Sequence, residues 1–248
     1  MSSLNPIGSP FIELHTVDST NNYAMGLVHA GMAQHGTSVF AHEQTKGRGQ
    51  RNKQWLSETN SNIALSIIFE PQEWSTSQLF ILSKLVSTGV LHFFNSYTTG
   101  GVTIKWPNDI YWCDRKAGGI LIENIIQGSE WKYSVAGIGL NINQTDFKKL
   151  KNKAVSLRQI TGSSFDPSSL AKELCIYLDM QFNKLLANPN EVSEQYHANL
   201  FQLGKKVKLK KGSRLFEAVI KDVTSLGQLV VQHAVEERFE VGEVEWVI

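Results

Sequence analysis

At 248 residues the chain is long enough to bury a sizeable core, as one large domain or as one plus a small appendage. Its 24 lysines and arginines against 23 acids leave a net charge of +1, which excludes a general nucleic-acid coat and confines any anion site to a local cluster. Cys113 and Cys175 have neither metal nor redox spacing, no basic-then-apolar leader opens the chain, and no apolar run approaches the ~20 residues that span a bilayer, so a cytoplasmic protein with no membrane partner is expected.

Residues 11–15 read as a first strand, and Asp18-Ser-Thr-Asn21 supplies capping side chains for a helix running toward Gly31. Residues 37–42 are β-like and feed a basic loop, Gln44-Thr-Lys-Gly-Arg48-Gly-Gln-Arg51-Asn-Lys53-Gln-Trp55. There Gly47 and Gly49 let the backbone approach a ligand, and Arg48 offers a planar fork of donors suited to phosphate or carboxylate. The loop matches neither the P-loop nor the dinucleotide fingerprint, and charge runs usually face water, so taken alone it leaves an anion site and a solvated turn equally open.

Residues 62–69, rich in β-branched side chains, read as a buried strand closed by Pro71. Leu79, Leu82, Val86, Val90 and Phe93 recur at helical steps, which predicts an amphipathic helix over 75–95 covering one face of a sheet. Residues 102–105 form a strand whose end Pro107 enforces, placing Lys105, Asn108 and Asp109 on a tight turn. A hairpin follows over 110–112 and 119–123, with Lys116 entering its second strand and Gly118 and Gly119 marking close approach by a ligand or another backbone. Residues 131–143 read as a strand in which Gly137 and Gly139 keep side chains out of a pocket, and Leu170, Leu174, Leu178, Phe182 and Leu185 give a core helix. After Asn188-Pro-Asn190 a short helical segment ends near Leu203, and from Gly204 short alternating strands between glycine turns imply a small barrel. Its early lysines are balanced by Glu236, Glu237, Glu240, Glu243 and Glu245, which favours a solvated edge over a nucleic-acid surface.

Five of these motifs, Asp18-Ser-Thr-Asn21, the basic loop, Lys105-Trp-Pro-Asn-Asp109, Lys116-Ala-Gly-Gly-Ile-Leu-Ile-Glu123 and Gly137-Ile-Gly-Leu-Asn141-Ile-Asn143, stand in an order that resembles the biotin protein ligases. Only about ten residues precede the first strand, too few for a helix-turn-helix domain, so the monofunctional type without an N-terminal DNA-binding domain is expected. The resemblance implies an α+β fold, with a mixed, mostly antiparallel sheet flanked by helices in the class II synthetase-like manner over residues 1–200. It adds an SH3-like small β-barrel over 201–248.

The same resemblance implies ATP-dependent activation of biotin to biotinyl-5′-adenylate, with Mg²⁺ on the nucleotide and no protein-bound metal, then transfer to a lysine of a biotin carboxyl carrier protein. It carries biotin contacts to Ser19, Thr20, Asn21, Gln44, Gly47, Arg48, Gly49, Gln50, Lys116 and Gly118. Nucleotide contacts fall on Arg48, Gln50, Arg51, Lys53, Trp55, Lys105, Asn108, Asp109 and Asn141, and the catalytic cations are Arg48, Lys105 and Lys116. The sequence departs from the family at Gln50, where arginine is common, and at Asn52, where glycine is usual, which implies weaker electrostatic retention of the adenylate unless Arg51 or Lys53 compensates. Two rivals stand beside this reading. One is a lipoate or octanoate ligase or transferase of the same superfamily, whose arginine-rich segment with a glycine triplet is lacking. The other is a nucleic-acid or peptide binding module acting through the C-terminal barrel, which leaves the Lys105 turn and Lys116 without purpose. No DNA partner is expected, and a homodimer is compatible with the sequence.

Overall fold

Alternate residues of one buried strand point into two different cores, and that is the key to the architecture. A computed structural model of the protein describes residues 4–71, 74–148 and 153–247; residues 1–3 of the leader reading and the Asn52 side chain lie outside what is described. Strands β1 (Phe11–Val17), β2 (Ser38–Gln44), β3 (Ile63–Phe69), β4 (Val102–Lys105), β5 (Asp109–Trp112), β6 (Arg115–Gln127) and β7 (Glu130–Leu140) form one mixed sheet in the order β1-β2-β3-β7-β6-β5-β4. β1 and β2 are parallel, joined through helix α1 (Thr20–His29) as a parallel pair requires, and the other neighbours are antiparallel.

β3 is buried along its whole length. Ile67 and Phe69 join the main core with helices α2 (Phe80–Asn95) and α4 (Pro167–Ala187), whereas Ile68 packs with Ala24, Val39 and Val135 beneath α1. Strand periodicity of two thus produces three layers, helices on both faces of the sheet. Helix α5 (Pro189–Ala198) packs against α2 and α4. The stretch Thr76–Asn95 is long and apolar enough to cross a membrane, contrary to the expectation that no run approached that length; in the protein most of it is buried, with Leu82, Leu85, Val86, Val90, Phe93 and Phe94 inside the main core. It begins as a 3₁₀ turn, Thr76–Gln78, before α2.

Helix α3 (Leu157–Thr161) was not foreseen, being too short to show a period. Its signal is chemical: Ser156 and Gln159 form a reciprocal capping box, and Gly162 closes it in the left-handed region.

Past α5, strands β8 (Lys206–Lys211), β9 (Arg214–Val223), β10 (Leu229–Gln232), β11 (Glu236–Phe239) and β12 (Glu245–Trp246) make a small antiparallel sheet in the order β11-β10-β9-β8-β12. Its apolar face, with Leu209, Ala218, Ile220, Leu229 and Phe239, joins the main core. Leu200 bridges Ile104 of β4, and the Trp106 indole donates to the Gly227 carbonyl at 2.8 Å, so this sheet sits against the Lys105 turn. Three cations of β8 and β9 pair with acids, Lys206 with Glu217, Lys211 with Glu243 and Arg214 with Glu237.

Candidate active site

Where β3, β7 and β6 meet the N-terminus of α1 and the basic loop, a pocket of about 470 Å³, partly open to solvent, is lined by ten of the expected biotin and nucleotide contacts: Ser19, Thr20, Asn21, Gln44, Arg48, Gly49, Gln50, Trp55, Asn108 and Lys116. Its closed end is polar. Gln44 Oε1 accepts from the Thr20 backbone N–H at 2.8 Å and from its hydroxyl at 3.1 Å, and the Ser66 hydroxyl lies 2.6 Å from Asn21 Oδ1 and 2.7 Å from the Thr20 hydroxyl. Asn21 Nδ2 donates to Glu123 Oε2 at 2.8 Å. Asn21 reaches this position because Gly137 has no Cβ, which would collide with the Asn21 amide.

Arg48 belongs to the same network. Its guanidinium grips Glu123 with both branches, at 2.7 and 3.0 Å, and donates to Asn22 at 2.8 Å. The fork read as a phosphate holder is therefore already neutralised by a carboxylate, in the bidentate geometry that suits it best. Ser66 and Glu123 were missed in the sequence. Each left a trace, a lone hydroxyl inside the apolar run 62–69 and an acid ending the apolar run 119–122.

The basic loop folds back as a flap. Trp55 N–H donates to the Gly47 carbonyl at 3.0 Å and Gly49 N–H to Lys53 at 2.8 Å, with Arg51 at the tip in the left-handed region, its guanidinium against Gly242 of the C-terminal sheet. The Trp55 indole lies flat on Gly139, where a Cβ would come within 2.5 Å of the ring. Its Nε1 is buried and has no hydrogen-bond partner, a donor facing inward beside the pocket.

Lys116 owes its direction to a bulge. Between β5 and β6, Gly118 faces Ile110 but Lys116 faces Tyr111, leaving Ala117 as an extra residue. That one-residue shift turns the Lys116 side chain onto the face of Gly119, whose ideal Cβ would lie 3.2 Å from Nζ. There Nζ pairs with Asp109 at 2.6 Å and stands 5.9 Å from the centre of the Trp55 ring. The Lys116 backbone is fixed in turn by bonds to Lys153 and Val155.

Lys105, Asn108 and Asn141 lie close by with other partners. Asn108 clamps β6, its side chain donating to the Ile120 carbonyl and its own carbonyl accepting from Ile120 N–H. Asn141, 4 % exposed, spends its amide on the carbonyls of Lys116 and Val155, so it holds the strand behind Lys116 and does not line the pocket. Lys105 is buried, donates to the Tyr111 hydroxyl at 3.0 Å, and lies over the rings of Tyr111, Trp246 and Phe201 at 4.6, 5.4 and 5.9 Å. Burial lowers its pKa to about 8; Asp109 opposes the shift, and Lys116, Lys153 and Lys53 add to it. Lys116, Lys153 and Lys53, from separate segments, thus act together on Lys105, and Asp109 opposes them. Among the described residues no three His, Cys, Asp or Glu side chains converge as a metal cage.

A mixed sheet with helices on both faces carries a glycine-lined pocket that Lys116 enters. The model described as the biotin/lipoate A/B protein ligase family matches residues 14–141, and the chain belongs to that family. It is 30 % identical over 188 residues to the bifunctional ligase/repressor BirA of Bacillus subtilis, spanning 73 % of this chain and 56 % of that one. It is 27 % identical over 219 residues to the biotin–[acetyl-CoA-carboxylase] ligase of Mycobacterium tuberculosis, spanning 85 % of this chain and 79 % of that one. The chain spans about half the length of the BirA relatives it matches. Among solved structures, the Aquifex aeolicus biotin protein ligase in complex with biotin and ATP superimposes with a TM-score of 0.78 at 24 % identity, covering 96 % of this chain and 99 % of that one, which speaks to the fold.

Proposed function

We propose that the chain is an ATP-dependent biotin protein ligase, forming biotinyl-5′-adenylate and passing the biotinyl group to a lysine of a biotin carboxyl carrier domain. The observation that carries this reading is the placing of Lys116, Lys105, Lys53 and Lys153 in one field beside a pocket whose far end is polar but uncharged toward the ligand. A carboxylate and a triphosphate repel each other, and bringing them together needs fixed cations more than it needs a covalent nucleophile. Lys116 is the cation aimed into the pocket and would hold the biotin carboxylate against the α-phosphate, with Asp109 fixing its position. Lys53 and Lys105 serve the remaining phosphates, and Arg48, engaged by Glu123, shapes the pocket wall. Asn141 acts through the Lys116 strand. Mg²⁺ travels with the nucleotide, since such an ion is held largely by phosphate oxygens and water.

The hydroxyls and amides of Ser19, Thr20, Asn21 and Gln44 suit a ureido head better than the apolar ring of lipoate, which favours biotin within the family. The name of the Mycobacterium tuberculosis relative and the biotin and ATP bound in the Aquifex aeolicus structure support the same reading. We further assign residues 1–200 as the catalytic domain and 201–248 as an SH3-like module, a reading supported by the meander of β8 to β11 with β12 returning to β8.

The test is exchange of labelled pyrophosphate into ATP with biotin, lipoate and octanoate side by side. Biotin is expected to exceed both by a wide margin, and Lys116→Ala to lower its exchange by about 10²-fold or more with the circular dichroism spectrum unchanged. Equal exchange with lipoate or octanoate would hand the chain to the lipoyl branch.

A further inference from the structure

A second pocket, more open to solvent than the first, adjoins it, and the two share Gln50, Asn108 and Ile120 as a common wall. It runs between the start of α2, strand β6 and the Leu226 turn of the C-terminal sheet, and among the described residues lining it none is charged. A pyrophosphate route would want cations, and the lysine cluster lies elsewhere. The walls combine apolar Phe80, Ile122 and Leu226 with neutral polar Ser83, Ser87 and Asn124. Ser87, 1 % exposed, keeps a hydroxyl with no hydrogen-bond partner.

On the ligase reading, on which this inference rests, we propose that the second cavity is the entry for the acceptor lysine side chain. Four methylenes match the apolar walls, and the amine must arrive uncharged, because an ammonium has no lone pair to give. A corridor without carboxylates does not hold the proton on the amine, whereas hydroxyl and amide side chains can still hydrogen-bond it. The lysine sheds one proton to water on entering. Its nitrogen lone pair then forms the bond to the acyl carbon of the mixed anhydride, the acyl–oxygen bond to phosphate breaks with its electron pair leaving on AMP, and the remaining ammonium proton passes to water, giving an amide.

Filling the mouth of the cavity tests this, with Ser83→Leu on α2 and Leu226→Trp on the exposed turn as independent variants of the full chain. The rates measured are biotinyl-adenylate formation, its capture by hydroxylamine, which needs no corridor, and transfer to a biotin carboxyl carrier domain. Carrier transfer is expected to fall at least tenfold in both variants, with adenylate formation and hydroxylamine capture within about twofold of wild type. Undiminished carrier transfer in both variants overturns the inference, as does a parallel loss of all three rates, which would assign the cavity to the adenylate site. A wild-type chain that forms no adenylate from biotin and ATP would overturn the ligase reading, and the entry with it.

Discussion

Lys105 and Lys116 leave β4 and β6, the two strands that flank β5, yet one is caged and the other is aimed. Lys116 is a half-buried cation held in an ion pair by Asp109, so Asp109→Asn should leave the ammonium wandering. We expect pyrophosphate exchange to fall about tenfold, mostly in kcat, while biotin binding by calorimetry changes little. Lys105 makes a different, pH-dependent prediction. In the unfolded chain it holds its proton up to the ordinary 10.5, whereas in the fold burial releases it near 8. The unfolded state therefore binds more protons between those values, so stability rises with pH across that window and is flat below it. The ring faces of Tyr111, Phe201 and Trp246 return part of the burial cost, leaving a rise of about 1–3 kcal/mol. Urea midpoints at pH 7.5 and 10 should show it in the wild type and lose it in Lys105→Met; identical slopes would mean the lysine is not buried as a cation. At Gln50, the neutral residue on the pocket wall, Gln50→Arg should slow escape of the adenylate about tenfold, read by trapping released intermediate with free amine.

At the scale of elements, β7 matters through what it omits. Gly137 makes room for Asn21 and Gly139 for the Trp55 indole, so one strand seats both the polar end of the pocket and the flap. Gly139→Ala would press a methyl into the indole and lift the flap. Adenylate half-life in the presence of free amine should shorten by about tenfold while the melting temperature barely moves, because the strand pairing on either side of Gly139 is intact. An unchanged half-life would show that Trp55 is not the lid. The helices α2 and α4 were legible because their apolar stripes are long, and α3 was not, because five residues hold no period and only its cap speaks.

Across the whole molecule, the C-terminal sheet is more than an appendage. Trp246 and Phe201 complete the cage of Lys105, Gly227 receives the Trp106 indole, and Gly242 carries the Arg51 tip of the flap. Trp246→Ala should cost about 1–3 kcal/mol of stability by urea denaturation and raise the KM for ATP more than that for biotin. An equal rise for both substrates would mean general loosening of the fold and would remove the sheet from the nucleotide site.

The sequence by itself determined the layers and most of the pocket. The β-branched content of 62–69, helical stripes in α2 and α4, and glycines spaced along β7 are local facts that need no partner to be read. Only the tertiary structure decided which charges cancel. Arg48 and Glu123 are 75 residues apart, and the rings that cage Lys105 include two from beyond residue 200; nothing in the spacing of either set foretells their meeting. The bulge at Ala117 then chose the face on which Lys116 emerges. A single added residue in a strand reverses the direction of a side chain, and that choice is made by pairing with the neighbouring strand, not by the residues themselves.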